Sequence, residues 1–90
     1  TGGTGLSPRD VTPEAVAPLL DRQVPGIAEA LRSRNAAAVP TAVLSRGVVG
    51  TIGTTLVVTL PGSTGGVRDG IAVLAEVLDH ALAQLRGGDH

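Results

Sequence analysis

The chain has 90 residues, 42% of them hydrophobic, and a formal net charge of -1, which suits one small domain with a limited core. It contains no Phe, Tyr, Trp, Met or Cys, so any core is built from Leu, Val, Ile and Ala, and disulfides and thiolate metal sites are excluded. Its basic residues are all Arg and are scattered among the acids, giving neither a basic stripe nor stacking rings, so nucleic acid is excluded as a partner.

The sequence opens on the glycine-rich stretch Thr1-Gly2-Gly3-Thr4-Gly5. Turns of this type normally follow a buried strand that fixes them, and the expectation is that such a strand lies upstream and that this is the carboxy-terminal part of a longer domain. Thr12 is predicted as an N-cap with Pro13 in the first helical position, and Ala15, Val16, Leu19 and Leu20 follow at helical spacing. Pro25 opens a second predicted helix, with Ile27, Ala28 and Leu31 on one face and Asn35 as terminator. Pro40 begins a further helical turn through Leu44, after which Gly47, Gly50 and Gly53 break the chain into short extended pieces around Val48, Val49 and Ile52.

Residues 54–60 read as a strand, because Thr54, Thr55, Val57, Val58 and Thr59 are β-branched, and the unbroken apolar run predicts burial on both faces. A loop over residues 61–66 leads into a long helix predicted from Val67, Ile71, Leu74, Leu78, Leu82 and Leu85, which Gly87 and Gly88 stop. Strand, glycine-rich loop and helix form one unit, and the opening of the chain resembles the back half of a second. Two such units predict an α/β fold, a three-layer α/β/α sandwich around a mostly parallel sheet, formed by residues 1–90 as part of a single domain. No apolar run approaches the roughly 20 residues needed to span a bilayer, and no signal-peptide pattern is present, so a soluble cytoplasmic protein without a membrane partner is expected.

Glycine lets the backbone N–H groups of residues 1–5 approach a phosphate closely. The same pentapeptide serves equally as a plain structural turn, and it is neither a Walker A motif nor a Rossmann fingerprint. Downstream, Arg9 and Asp10 bring a cation and a carboxylate close to a helix N-terminus. Phosphoryl or nucleotidyl transfer uses such groups: a carboxylate holds Mg²⁺ while backbone donors position the phosphate. Asp10 is therefore the candidate metal ligand, although capping or pairing with Arg9 would also account for it. Glu14 suits the first helical turn electrostatically whatever its function. Ser63 and Thr64 can hydrogen-bond a ligand or cap the following helix. Asp69, Glu76 and Asp79 fall on the predicted polar side of that helix, His80 and His90 are isolated, and no nucleophile sits beside a base.

Taken in order, Thr1-Gly2-Gly3-Thr4-Gly5, Ser7-Pro8-Arg9-Asp10-Val11-Thr12-Pro13-Glu14-Ala15, Asp21-Arg22, Val24-Pro25-Gly26, Val39-Pro40-Thr41-Ala42, Leu44-Ser45-Arg46-Gly47 and Leu60-Pro61-Gly62-Ser63 resemble the molybdenum-cofactor adenylyltransferases of the Mog and MoaB type. The resemblance covers essentially the whole chain. It implies the carboxy-terminal part of a molybdopterin-binding α/β/α domain that assembles as a homotrimer, with ATP and molybdopterin as substrates, Mg²⁺ as cofactor, and a molybdotransferase as possible partner. It implies phosphate binding by Thr1, Gly2, Gly3, Thr4 and Gly5, a catalytic and metal-binding role for Asp10, and a substrate crevice lined by Pro61, Gly62 and Ser63. Ser7, Arg9 and Glu14 are further candidates for substrate contact, while Arg9, Ser45 and Arg46 can instead hold the fold or a subunit contact. A second acid is expected upstream. The molybdotransferase and competence-damage families share a Gly-Gly loop but continue with Val-Ser-Val-Gly and Leu-Gly-Pro-Thr wording respectively, and a non-catalytic molybdopterin-binding scaffold is the alternative of a different class.

Overall fold

The computed structural model describes residues 1–88. Residues 1–11 form an extended loop, followed by α1 (Thr12–Val16) and a 3-10 turn at Ala17–Leu19. Strand β1 (Arg22–Gln23), helix α2 (Pro25–Ala36) and a 3-10 helix at Pro40–Leu44 come next. The hairpin of β2 (Val49–Ile52) and β3 (Thr55–Val58) leads to α3 (Thr64–Ala75) and α4 (Leu78–Leu85).

The α/β class read from the sequence holds, and two of its details change. The three-stranded sheet has the order β1-β2-β3, and both pairings are antiparallel, where a mostly parallel sheet was expected. The physical reason is the connection: Ile52 pairs with Thr55, so only Gly53 and Thr54 lie between the strands, and parallel strands need a crossover of a dozen or more residues. Gly53 makes the tight turn possible by adopting φ +58. The strand predicted over residues 54–60 is shorter, and it runs from exposed Thr55 to half-buried Val58 instead of being covered on both faces. Only Thr59 and Leu60, beyond its end, are buried.

The helices show two further departures. Helix α1 starts at Thr12 itself, with Val11 as its N-cap, and it gives way to a 3-10 turn after Val16 because Pro18 has no N–H to continue the α-helical ladder. Leu19 is consequently 64% exposed, not part of an apolar helix face. The long helix predicted from Val67 to Leu85 is two helices, broken at Glu76 and Val77, whose amides turn back to Val73 O at 3.2 Å and Leu74 O at 3.0 Å. Leu74 and Leu78 are four residues apart on either reading, so apolar spacing does not reveal the break. It lets α4 pack against β3.

A small core sits where α2 and α3 meet the sheet: Ala28, Leu31, Val49, Leu60 and Val73 are buried, with Val24, Ile27, Leu56, Val58 and Val67 packed around them. All are aliphatic, as the composition requires. Burial of this kind stabilises by about 25 cal/mol per Å² of apolar surface, and it anchors both ends of residues 49–60 beneath the loops described next.

Candidate functional site

The opening loop is built by contacts from distant parts of the chain. Gly2 N donates to Leu60 O at 2.8 Å, which lays residues 1–5 beside the start of the loop over residues 61–66. Thr12, expected as a helix cap, acts on this loop instead: its hydroxyl donates to Gly2 O at 2.7 Å and its amide to Gly3 O at 3.0 Å. Gly3 adopts φ +69, and a Cβ placed there would collide with Thr12 Oγ1, so the loop and helix approach each other as only glycine allows. Arg46 completes the scaffold. Its amide donates to Thr4 O at 2.7 Å, its Nε to Gly5 O at 2.8 Å and its Nη2 to Asp10 O at 2.5 Å.

The second loop is built locally. Ser63 is the N-cap of α3, its hydroxyl accepting from Gly66 N at 3.0 Å, which satisfies one of the free amides of the first helical turn. Of the two sequence readings for Ser63, capping is the one seen, and the residue also lines the crevice.

The two loops frame an open cavity of about 530 Å³. Gly3, Thr4, Gly5 and Asp10 line one side, and Pro61, Gly62 and Ser63 the other. Thr1, Gly2, Ser7, Arg9 and Glu14 do not line it. Ser7 and Arg9 are exposed, Thr1 borders a shallower groove with Gly62 and Arg68, and Glu14 is paired with Arg46 at 2.8 Å. Asp10 is half-buried, and its Oδ2 accepts from Ser7 N at 3.0 Å. That contact, not a pair with Arg9, is what holds its carboxylate.

Three wall residues went unrecognised as such in the sequence. Asp69 was placed on the solvated side of a helix, yet it lines the cavity. Its spacing held the clue, since Gly65 and Gly66 lie four and three residues before it and share its helical face. Arg32 also lines the cavity, its Nη1 donating to Gly47 O at 3.1 Å, and Asn35 stands one turn further along α2. The crevice thus carries two carboxylates, one guanidinium and a run of glycine backbone.

No cluster of three or more acidic, His or Cys side chains able to hold a metal occurs among the described residues. The donor set here is of another kind. Asp10 and Asp69 face a common space, and Mg²⁺ is commonly held by one or two carboxylates with substrate phosphates and waters completing its shell. His80 is exposed on α4, and His90 lies outside the described residues. No helix among the described residues is long and apolar enough to cross a membrane.

Fold and crevice together define an α/β domain in which two glycine-rich loops and two carboxylates converge on one cavity. Residues 1–80 match the family described as "Probable molybdopterin binding domain", and the chain belongs to that family, in its Mog and MoaB branch. It is 48% identical over 90 residues to the molybdenum cofactor biosynthesis bifunctional protein of Synechococcus elongatus, covering 100% of this chain and 28% of that protein. It is 46% identical over 88 residues to the molybdenum cofactor biosynthesis protein B of Staphylococcus carnosus, covering 94% of this chain and 52% of that protein. The solved structure of the molybdopterin biosynthesis Mog protein from Mycobacterium ulcerans superposes with a TM-score of 0.92 at 58% identity, covering 96% of this chain and 56% of that one. The chain therefore spans about half the length of its single-domain relatives.

Proposed function

We propose that the crevice is part of a site that transfers an adenylyl group from ATP to molybdopterin in molybdenum cofactor biosynthesis. One observation carries the reading: the glycine loop of residues 1–5, the 61–63 loop, Asp10 and Asp69 meet at a single cavity large enough for small ligands. Family membership supports the pathway, and the residues support the reaction type.

In the proposed reaction a terminal phosphate oxygen of molybdopterin attacks the α-phosphorus of ATP. A new P–O bond forms, the bond from the α-phosphorus to the bridging oxygen of the β-phosphate breaks, and pyrophosphate leaves with that oxygen. Backbone amides of residues 2–5 and the 61–63 loop hold the phosphates in line, where positioning contributes most of the catalysis. Asp10 and Asp69 are the residues that would hold Mg²⁺, which when bound neutralises charge on the transferring phosphate. Arg32, across the crevice, offers a cation to the same anionic substrates. No covalent intermediate with the protein is required. The working protein in this proposal is a cytoplasmic homotrimer, and its adenylylated product passes to a molybdotransferase.

A non-catalytic molybdopterin-binding scaffold is the second reading, favoured by the Asp10 contact with Ser7 N at 3.0 Å, which gives that carboxylate a structural task. ATP labelled at the α-phosphorus separates the two. Adenylyl transfer moves the label onto molybdopterin, whereas a scaffold binds molybdopterin and leaves the label on ATP.

A further inference from the structure

Among the described residues, the Arg46 side chain alone bonds both ends of the turn that carries Asp10. Its Nε donates to Gly5 O at 2.8 Å and its Nη2 to Asp10 O, so one planar group spans residues 5–10. Nη1 completes the fork on the Glu14 carboxylate, at 2.8 Å to Oε1 and 3.1 Å to Oε2. The turn has only two cross-links of its own, Asp10 N to Ser7 O at 2.9 Å and Ser7 N to Asp10 Oδ2 at 3.0 Å. Leu6 at its tip is 65% exposed and packs into no core. The direction in which the Asp10 carboxylate points therefore depends on the guanidinium.

We propose that Arg46 is a positioning residue for Asp10: it clamps the 5–10 turn so that the Asp10 carboxylate faces the crevice, and Glu14 in turn orients Arg46. This rests on the adenylyl-transfer reading for its kinetic consequence, but not for its structural one. Lysine cannot replace the clamp, because an ammonium is a point donor without the fixed fork that reaches three acceptors in one plane. Glu14, a candidate for substrate contact in the sequence, is on this account part of the support.

The test is made in the whole protein, with Arg46→Gln, Arg46→Lys and Glu14→Gln. Arg46→Gln is expected to lower kcat about 10- to 100-fold, the range for partners that orient a functional group, while the KM for ATP and the Tm stay near wild type and added guanidinium ion restores part of the loss. Arg46→Lys recovers little. Glu14→Gln, which removes only an exposed ion pair, costs at most about fivefold. A kcat for Arg46→Gln within twofold of wild type overturns the proposal, as does a loss that guanidinium does not relieve or that Glu14→Gln equals. Should Arg46→Gln fail to fold, a Glu14→Gln loss beyond tenfold overturns it, and a smaller one supports it.

Amide exchange keeps the two readings apart. If the wild-type protein transfers no adenylyl group, the functional reading fails, and the clamp is judged by exchange at the Ser7 and Asp10 amides. Arg46→Gln should speed both about tenfold or more, as expected when a charge-assisted hydrogen bond is lost, with core amides such as Val49 unchanged. Unchanged exchange at Ser7 and Asp10 overturns the clamp.

Discussion

The two glycine-rich loops meet side by side, joined by the bond from Gly2 N to Leu60 O, yet different forces hold them. Residues 61–66 are organised from within, since Ser63 caps the helix that begins at Thr64 and the loop follows from that capping. Residues 1–5 are organised from outside, by Leu60, Thr12 and Arg46, which lie up to 58 residues away in sequence. The difference separates robustness from tunability. A locally capped loop survives changes elsewhere, whereas a loop held by distant partners transmits any shift in those partners to the groups it carries, and here the carried group is Asp10.

Four substitutions probe this contrast, from the largest expected effect to the smallest. Asp10→Asn should slow adenylyl transfer by about 100-fold or more, the scale for removing a group that stabilises developing charge, while thermal unfolding stays close to wild type because the amide oxygen can still accept from Ser7 N. Equal turnover in that variant would remove Asp10 from the mechanism. Gly3→Ala should destabilise by about 2 kcal/mol or more, read by chemical denaturation, since φ +69 costs a non-glycine residue about 1–2 kcal/mol and the collision with Thr12 adds to it. Ser63→Ala should cost about 1 kcal/mol through loss of the cap, with exchange rising at Gly66 and not in residues 1–5. If exchange rises equally in both loops, the contrast between local and distant support is wrong. Glu76→Gln removes the ion pair to Arg34 that links α2 and α3 at the surface, and at 53% side-chain exposure for Glu76 the expected change in denaturation is below about 1 kcal/mol.

What could be read from the sequence follows the same division. Local signals were legible: proline at the start of α2 and of the 3-10 helix, the apolar face carrying Ala28 and Leu31, and a serine before a helix. Signals set by partners were not. Thr12 has every property of a cap, but the Gly2 carbonyl 10 residues away claims its hydroxyl. The strand direction was misread because a glycine turn and a crossover look alike until Ile52 and Thr55 are known to pair. For the site, the glycine loop, Asp10 and residues 61–63 were identified through their resemblance to a family, since composition left a structural turn and a phosphate cradle equally open. Asp69 was missed because its helix was read as one long amphipathic face, and Arg46 because a clamp made of backbone carbonyls leaves no residue pattern.

Transfer of the adenylyl group is the central claim, and pyrophosphate release by the whole protein tests it most directly. With ATP, Mg²⁺ and molybdopterin together, pyrophosphate should form in step with adenylylated molybdopterin, and omitting any one of the three should abolish it. Tight molybdopterin binding with no pyrophosphate from the complete mixture would contradict the account and leave the crevice a binding site alone.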